Sequence, residues 1–206
     1  MSSGLRVLTI GHSNHSFDDF ARLLQQHGVT ALADVRSAPF SRFVPQYNRN
    51  ALQDGLTERG IRYVFLGREL GARTDDRTCY VDGRVQYSRL AKTTAFEAGI
   101  DRVMKGARGE RIAIMCAEKD PLDCHRTLLV AQALVNHGVA VDHILADGRL
   151  EPHHDALLRL LDVWDLRADL FRSDDELIAE ALGRQEQRIA YVDRSLLPAT
   201  AESEPA

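Results

Sequence analysis

The sequence predicts an α/β fold: a single three-layer domain with a mostly parallel sheet and additional helices at its C-terminal end. One pattern occurs three times, in QQHGVTALADV, TERGIRYVFL and VNHGVAVDHIL, where a helix ends at a glycine and an apolar strand follows. Glycine readily adopts the left-handed backbone conformation that ends a helix, and β-branched residues favour strands. Helical and strand patterns also alternate along the chain, which is typical of parallel sheets covered by helices.

Three strands and two helices are predicted in the first third of the chain. The strands cover residues 7–10, 31–35 and 63–66. Ser16 is placed to cap the first helix. The apolar residues on one face of this helix are Phe17, Phe20, Leu23 and Leu24. Asn50 is expected to cap the second helix, which follows the loop SAPFSRFVPQYN.

The middle of the chain combines a long loop with further helices and strands. Residues 67–87 are expected to be irregular, although loops of that length are uncommon in compact domains. The helix that follows carries apolar residues at helical spacing, namely Phe96, Ile100, Val103 and Met104. The continuous apolar run at 112–115 predicts a central parallel strand. Asp123 is expected to cap a helix that extends to Leu134, and residues 139–145 form the fifth strand.

The chain is expected to divide into three parts. Residues 1–150 form the α/β domain with the motif-bearing cleft, and residues 151–193 form a helical extension. These helices either cover the sheet or pair two subunits in a homodimer. Residues 194–206 are small, polar and contain proline, so a disordered tail is predicted.

Composition excludes several classes of protein. Hydrophobic residues make up 44% of the 206-residue chain, too many for a wholly disordered protein, and a net charge of −4 argues against strong non-specific DNA binding. No apolar run reaches the ~18–20 residues of a membrane helix. The first residues lack the apolar region of a signal peptide, and three cysteines argue against a disulfide framework. We therefore expect a cytoplasmic protein with no membrane partner.

Polar residues gather where the predicted strands end. Ligands of parallel sheets bind outside the carboxyl ends of the strands. These ends carry Gly11 to His15, the pair Asp34 and Arg36, the segment GRELG, and Cys116 to Asp120. We predict a cleft at this edge, and five residues are expected to line it: His12, Asp34, Arg36, Cys116 and Glu118.

The densest group of reactive side chains lies in CAEKDPLDCHR, residues 116–126. Cys124, His125 and Arg126 are predicted in the first turn of a helix. The N-terminus of a helix favours anions and lowers the pKa of a thiol. An anionic, phosphate-bearing substrate is therefore expected, with Arg126 and Lys119 adding positive charge.

Three interpretations of these cysteines remain open. Cys116 or Cys124 is a nucleophile with His125 or Glu118 as its base. Alternatively, Cys116, Cys124 and His125, with His12 as a possible further ligand, bind zinc or another soft metal, although the spacing is not that of a zinc ribbon. In the third interpretation both cysteines are buried packing residues. Arg126 lies ten residues after Cys116, so this is not a phosphatase or rhodanese loop.

The loop SAPFSRFVPQYN interleaves aromatic residues with arginine. Its aromatic residues are Phe40, Phe43 and Tyr47, beside Arg42 and Arg49. Aromatic rings next to arginine can stack on a base and hold its phosphate. Alternatively, the phenylalanines anchor the loop on the core.

Two further features also have a structural interpretation. His153 and His154 are expected to form a solvated start of a helix, and Asp34 and Arg36 could simply form a local salt bridge.

Four segments, TIGHSNHSFDDF, LADVRSAPFSRFVPQYN, GRELGAR and MCAEKDPLDCHR, resemble in this order family 488 of the domains of unknown function. The resemblance spans about residues 5–150. It implies a compact α/β domain with a catalytic or metal-binding site at the cysteines, and it implies no particular reaction. The family's motif residues present here are His12, Ser13, Asp34, Arg36, Ser41, Arg42, Gly71, Cys116, Glu118, Lys119, Cys124, His125 and Arg126.

The leading functional hypothesis is a hydrolase or group transferase that acts on a nucleotide or nucleic-acid substrate. Cys116 would attack, and Glu118, His125 or Asp34 would move protons. The expected substrate-binding residues are His12, Ser13, Arg36, Arg42, Lys119 and Arg126. No GxGxxG follows a strand, so no dinucleotide cofactor is predicted, although a divalent metal is possible. The alternatives are a non-catalytic module that binds nucleic acid or a modified base, and a small metal-binding sensor.

Overall fold

The computed structural model describes residues 4–167 and 171–197. Its main sheet has six strands in the order β3-β2-β6-β1-β7-β8, and β4 pairs with β5 in a separate hairpin. The strands are β1 (Arg6–Gly11), β2 (Ala31–Asp34), β3 (Arg62–Phe65), β4 (Tyr80–Val81), β5 (Arg84–Val85), β6 (Ile112–Cys116), β7 (Ala140–Ile144) and β8 (Leu150–Pro152). All pairings in the main sheet are parallel except that of β7 with β8.

Eight α-helices accompany these strands in the described residues. They are α1 (Phe17–Gln26), α2 (Arg49–Thr57), α3 (Gly67–Leu70), α4 (Tyr87–Leu90), α5 (Thr94–Gly106), α6 (Gln132–Asn136), α7 (His153–Val163) and α8 (Asp174–Ile189). A π-helical segment, Arg126–Ala131, leads directly into α6. The predicted α/β fold with C-terminal helices is confirmed. No helix in the described ranges combines the length and the apolar character that a bilayer span requires.

Two apolar layers lie on opposite faces of the sheet, because successive side chains of a strand point to opposite sides. Leu8 and Ile10 of β1 belong to the layer that holds buried residues of α1 and α2. Val7 of the same strand belongs to the other layer, which includes Phe96 and Ile100 of α5. The sheet therefore forms the middle of three layers, and its carboxyl edge remains available for a site.

The C-terminal helices pack against each other and against the turn that follows β6. Their shared apolar cluster includes Leu160 of α7, Leu177 of α8 and Leu122 of that turn. After α8 the chain returns to the hairpin, where the Val85 N–H donates to the Tyr191 carbonyl at 3.0 Å. The predicted boundary at residue 150 falls within β8, which pairs with β7.

The tail predicted to be disordered is described only in its first residues. Arg194–Leu196 form a 3-10 turn in which the Asp193 side chain accepts from the Ser195 N–H. Residues 198–206 lie outside the described part of the chain.

Three local predictions were wrong. The stretch 67–87 contains α3, the 3-10 turn Arg77–Cys79 and the β4–β5 hairpin, which are too short to produce a periodic pattern. Asn48, not Asn50, precedes α2, and its side chain accepts from the Ser41 N–H. His153 is not a solvated cap, since only 4% of its surface is exposed.

His153 belongs to a buried polar chain that crosses from β1 to α6. Thr9 Oγ1 lies 2.7 Å from His143 Nδ1, and His143 Nε2 lies 3.1 Å from His153 Nδ1. His153 Nε2 lies 3.1 Å from the Gln132 amide oxygen. Desolvation, with a smaller effect of the His154 charge, lowers the pKa of His153 to about 4. Both buried imidazoles are therefore neutral near pH 7.

Candidate functional site

A cleft of about 320 Å³ opens at the carboxyl edge of the sheet, beyond β2 and β6. Its volume lies at the lower end of the range for small-molecule sites. Its lining comes from the loops after both strands, the predicted irregular stretch, and the end of α8. The lining residues are Arg36, Ser37, Ala38, Phe40, Ala72, Arg73, Tyr87, Cys116, Ala117, Glu118, Asp123, His125, Ile189 and Tyr191.

Cys116, Cys124 and His125 meet at the buried end of this cleft. His125 Nδ1 lies 3.6 Å from Cys116 Sγ and 3.9 Å from Cys124 Sγ. The other ring nitrogen, Nε2, lies 3.2 Å from the Val35 carbonyl oxygen. A carbonyl can only accept, so in the neutral imidazole Nε2 carries the proton and the Nδ1 lone pair faces the two sulfurs.

Cys124 reaches this position in an extended conformation. Asp120, not Asp123, caps the turn after β6 by accepting from the Leu122 N–H, and the turn ends at Asp123. Cys124 then has φ −137° and ψ 140°, which is strand-like. The prediction that Cys124 lies in the first turn of a helix was therefore wrong. Pro121 starts a short 3-10 turn, and the following helix begins only at Arg126.

The charges in this cluster influence one another. The hydrogen bond to Cys124, together with burial, raises the pKa of Cys116 well above its usual range. Desolvation opposes ionisation of Cys124, but the Cys116 hydrogen bond and the charge of Arg126 lower its pKa well below the usual range. Desolvation disfavours the His125 cation, yet the hydrogen bond and charge of Cys124 raise its pKa. Cys124 is therefore the thiol that ionises first.

Glu118 contributes a carboxyl group to the cleft. Desolvation, followed by the neighbouring Cys124 charge, raises the pKa of Glu118. A raised pKa makes a carboxyl group a better proton acceptor and lets it hold a proton for donation at a higher pH than usual. Of the expected proton-transfer residues, Glu118 and His125 line the cleft and Asp34 does not.

Arg36 extends into the cleft from a buried ion pair with Asp34. The carboxylate accepts from Arg36 Nε at 2.9 Å and from Nη2 at 2.7 Å. Arg36 also donates to the Tyr47 carbonyl oxygen at 2.8 Å. Asp34 is fully buried, so it orients Arg36 and does not itself reach a substrate in the cleft.

His12 forms a hydrogen bond with Arg36. Its Nδ1–H donates to the Ser13 carbonyl at 2.8 Å, and its Nε2 accepts from Arg36 Nη1 at 3.2 Å. Burial, reinforced by the charge of Arg36, lowers the pKa of His12 to about 4. Its ring stacks on the buried ring of Tyr47, 4.2 Å between centroids. His12 and Ser13, both expected to bind substrate, do not line the cleft.

Arg126, which was expected to bind an anion, lies inside the protein and does not line the cleft. It is fully buried and donates to the carbonyl oxygens of Glu118 at 2.7 Å and Lys119 at 3.3 Å. It therefore holds the loop after β6 against β1. Gly11 permits this approach, because a Cβ there would lie 1.8 Å from the Glu118 oxygen.

Two other predicted substrate-binding residues also lie away from the cleft. Lys119 lines a separate pocket at the end of β7, together with Arg149 and Arg159. Arg42 is exposed, and its guanidinium lies 4.8 Å from the centroid of the Phe43 ring. The exposed position of Phe43 fits neither core packing nor anchoring of the loop.

Arg73, Tyr87 and Tyr191 are among the cleft residues that the sequence analysis did not predict. Arg73 and Tyr87 lie in or next to the stretch expected to be irregular, and Tyr191 follows the last long helix. The Arg73 guanidinium lies 4.7 Å from the centroid of the Tyr191 ring. The GRELGAR segment offered one signal, because its Gly67 lets the chain approach the Arg36 carbonyl, only 2.0 Å from an added Cβ.

The family described as domain of unknown function DUF488 matches residues 16–133, more than half of the 206-residue chain. The chain belongs to the DUF488 family. No curated protein and no solved structure shows significant similarity to it. The DUF488 match contains Arg36, Cys116, Glu118, Cys124 and His125, whereas Tyr191 lies beyond it. The cleft is therefore formed by the DUF488 region and completed by the C-terminal segment.

Proposed function

We propose that this cleft is the active site of a cytoplasmic hydrolase or group transferase, whose substrate is a phosphate-bearing nucleotide or a nucleic acid. The observation that carries the proposal is the convergence of a thiol, an imidazole, a carboxyl group and two guanidinium groups on one cleft. These belong to Cys116, His125, Glu118, Arg36 and Arg73. Nucleophilic and acid–base catalysis use such groups when they lie within reach of one another.

Positive charge in the cleft favours an anionic substrate. No carboxylate of the described chain forms an ion pair with Arg73, so its charge is available to a ligand. Asp123, the other acidic residue of the lining, is paired with Arg188. A planar guanidinium can bind a phosphate through two parallel hydrogen bonds.

Aromatic and basic residues at the rim favour a nucleotide or a nucleic-acid strand. Phe40, Tyr87 and Tyr191 line the cleft, and 74% of the Phe40 surface is exposed. Residues 37–53 contain two arginines, Arg42 and Arg49, and no Asp or Glu, within a chain whose net charge is −4. Such a segment attracts phosphates, while its exposed rings can stack on bases.

The chemistry requires a nucleophile and a group that protonates the leaving atom. Glu118 is assigned to proton transfer. The nucleophile is either the Cys116 sulfur, whose proton passes to His125 Nδ1 as the sulfur attacks, or a water molecule. Cys124 ionises more readily than Cys116 but does not line the cleft. In both routes the leaving group departs with a proton from Glu118. In the thiol route the rest of the substrate stays bonded to Cys116 Sγ until water, or an acceptor in a transferase, displaces the sulfur and returns a proton to Glu118.

A matched pair of variants tests the proposal. Purified protein is incubated with nucleoside monophosphates and single-stranded oligonucleotides, including ones that carry modified bases, and released base or phosphate is measured by chromatography. Glu118→Gln is expected to lower turnover at least about 100-fold, since it cannot transfer the proton. Glu58→Gln, at an exposed position outside the cleft, serves as control and keeps full activity. Tight oligonucleotide binding without turnover by the wild-type protein would instead favour the non-catalytic binding module.

A further inference from the structure

The donor atoms of Cys116, Cys124 and His125 have the spacing of three ligands around one metal ion. In a tetrahedral zinc site, Zn–S bonds of about 2.3 Å and Zn–N bonds of about 2.1 Å place sulfur and nitrogen about 3.6 Å apart. The two observed S···N distances are 3.6 Å and 3.9 Å. All three donor atoms lie within 4.8 Å of one another. The side chains need little rearrangement to meet a single ion.

The surrounding backbone already orients these donors. The Val35 carbonyl accepts from His125 Nε2, which directs the Nδ1 lone pair toward both sulfurs. The Arg126 N–H donates to Cys124 Sγ at 3.4 Å. Histidine ligands of metals commonly donate their other ring N–H to such a carbonyl, which fixes the tautomer and the ring orientation.

We infer that Cys116, Cys124 and His125 bind one zinc ion and leave a fourth coordination position open toward the cleft. Two thiolates with one imidazole are soft donors that suit zinc better than magnesium or calcium. Among the described residues, no other His, Cys, Asp or Glu donor joins the three within that spacing. Three protein ligands with one open position are typical of catalytic zinc, whereas structural sites are closed by a fourth.

The position of the cluster agrees with an open site. Cys116 and His125 both line the cleft, so a ligand in the cleft can reach their metal-facing side. Glu118 lines the same cleft without belonging to the donor set. His12 was considered from the sequence as a further metal ligand, but its Nε2 accepts a hydrogen bond from Arg36.

The catalytic use of this site rests on the proposed function. Zinc lowers the pKa of a bound water, which makes it a nucleophile at neutral pH. The water oxygen forms a bond to the electrophilic atom of the substrate, and one water proton passes to the Glu118 carboxylate. The bond to the leaving group breaks, and Glu118 returns that proton to the leaving group. Water is thus divided between the two products, with no change in oxidation state.

Metal content tests the site without any substrate. Protein produced without a histidine tag, kept reduced and freed of loosely bound ions by gel filtration, is analysed by inductively coupled plasma mass spectrometry. We expect about one zinc per chain, and less than about a tenth of that in Cys116→Ser and in Cys124→Ser. Cys79→Ser is the matched control, because Cys79 is also a free buried cysteine but lies outside the cluster. It is expected to retain the zinc.

Cobalt replacement covers the case in which a serine variant fails to fold. Co²⁺ added to metal-free wild-type protein should give thiolate-to-cobalt charge-transfer absorption and the intense visible bands of tetrahedral coordination. A folded wild-type protein that takes up neither zinc nor cobalt overturns the site, as does equal zinc loss in Cys79→Ser and Cys116→Ser. A zinc-free protein that still turns over substrate rejects the zinc site but not the proposed function. A zinc-loaded protein without turnover supports the site and counts against the function.

Discussion

The Tyr63 hydroxyl donates to Asp34 Oδ2 at 2.8 Å, across the neighbouring strands β3 and β2. The same carboxylate accepts from the backbone N–H, Nε and Nη2 of Arg36. Asp34 is fully buried and Arg36 is 6% exposed, so water does not replace these contacts. Tyr63 therefore helps to hold the carboxylate that balances the charge of Arg36.

Asp34→Asn is expected to destabilise the protein strongly. It leaves Arg36 buried without its counter-charge, and breaking a buried ion pair in this way costs about 3–5 kcal/mol. The measurement is the free energy of unfolding from chemical denaturation. Asp147→Asn, which breaks an exposed ion pair with Arg149, is the control and should leave stability unchanged. Equal stability losses in the two variants would contradict the buried role of Asp34.

The exposed loop residues are expected to contribute to nucleic-acid binding. Stacking on an aromatic side chain contributes about 1–3 kcal/mol per base, so Phe43→Ala should weaken binding of a single-stranded oligonucleotide about 5–150-fold. Fluorescence anisotropy at a fixed salt concentration measures this change. Phe171→Ala is the control, because Phe171 is also highly exposed, at 91%, but lies on the C-terminal part of the chain. Identical affinities of the wild type and Phe43→Ala would exclude stacking at this position.

Arg42→Ala should weaken binding of the same single-stranded oligonucleotide, mainly because a positive charge is lost. Its affinity loss is expected to shrink as salt rises, since a phosphate contact depends on released counterions. Fluorescence anisotropy titrations at several salt concentrations measure how this affinity loss depends on salt. An affinity loss that does not change with salt would assign Arg42 to a contact other than phosphate.

Stability is expected to fall as the pH decreases from 7 to 5. The pKa of His153 is lowered from 6.5 to about 4 in the folded protein, so the unfolded chain binds more protons between these values. The contribution of neutral, buried His153 to the free energy of unfolding is complete above pH 6.5 and is lost as the pH falls toward 4. For this group alone the loss between pH 7 and pH 5 is about 2 kcal/mol. Burial lowers the pKa of His143 as well, which adds in the same direction.

The slope of unfolding free energy against pH is the measurement for this effect. His153→Gln should flatten the slope, whatever its effect on absolute stability, because one titrating group is removed. His137→Gln, at an exposed position, should keep the wild-type slope. A slope unchanged in His153→Gln would show that His153 does not contribute to the pH dependence in this range.

Metal removal should lower the melting temperature if zinc occupies the cluster. A ligand that binds only the folded state stabilises it, by about 2.7 kcal/mol when its concentration is 100 times the dissociation constant. Excess chelator should therefore destabilise the wild type and Cys79→Ser, as monitored by thermal denaturation. Cys116→Ser should show no such shift, and an equal shift in this variant would place the metal elsewhere.

Local patterns in the sequence were sufficient to predict the fold. Glycine at the ends of α1 and α6 and the apolar run of β6 reflect interactions over a few residues, so they can be read directly. The carboxyl-edge rule placed Arg36, Cys116 and Glu118 together for the same reason, since each follows a strand. The short elements between residues 67 and 90 were missed, because two to four residues cannot establish a periodicity.

Only the tertiary structure decided how the reactive side chains are used. Arg126 and Arg36 look alike in the sequence. The Arg126 guanidinium donates to carbonyls of the loop after β6 through its two Nη atoms, whereas Arg36 lines the cleft. The proton on His125 is placed by the Val35 carbonyl, and Tyr191 arrives from beyond α8. Such contacts join residues that are far apart in the chain. These contacts depend on how the layers of the fold pack and on which polar groups are buried away from water. A local sequence pattern contains no information about either property.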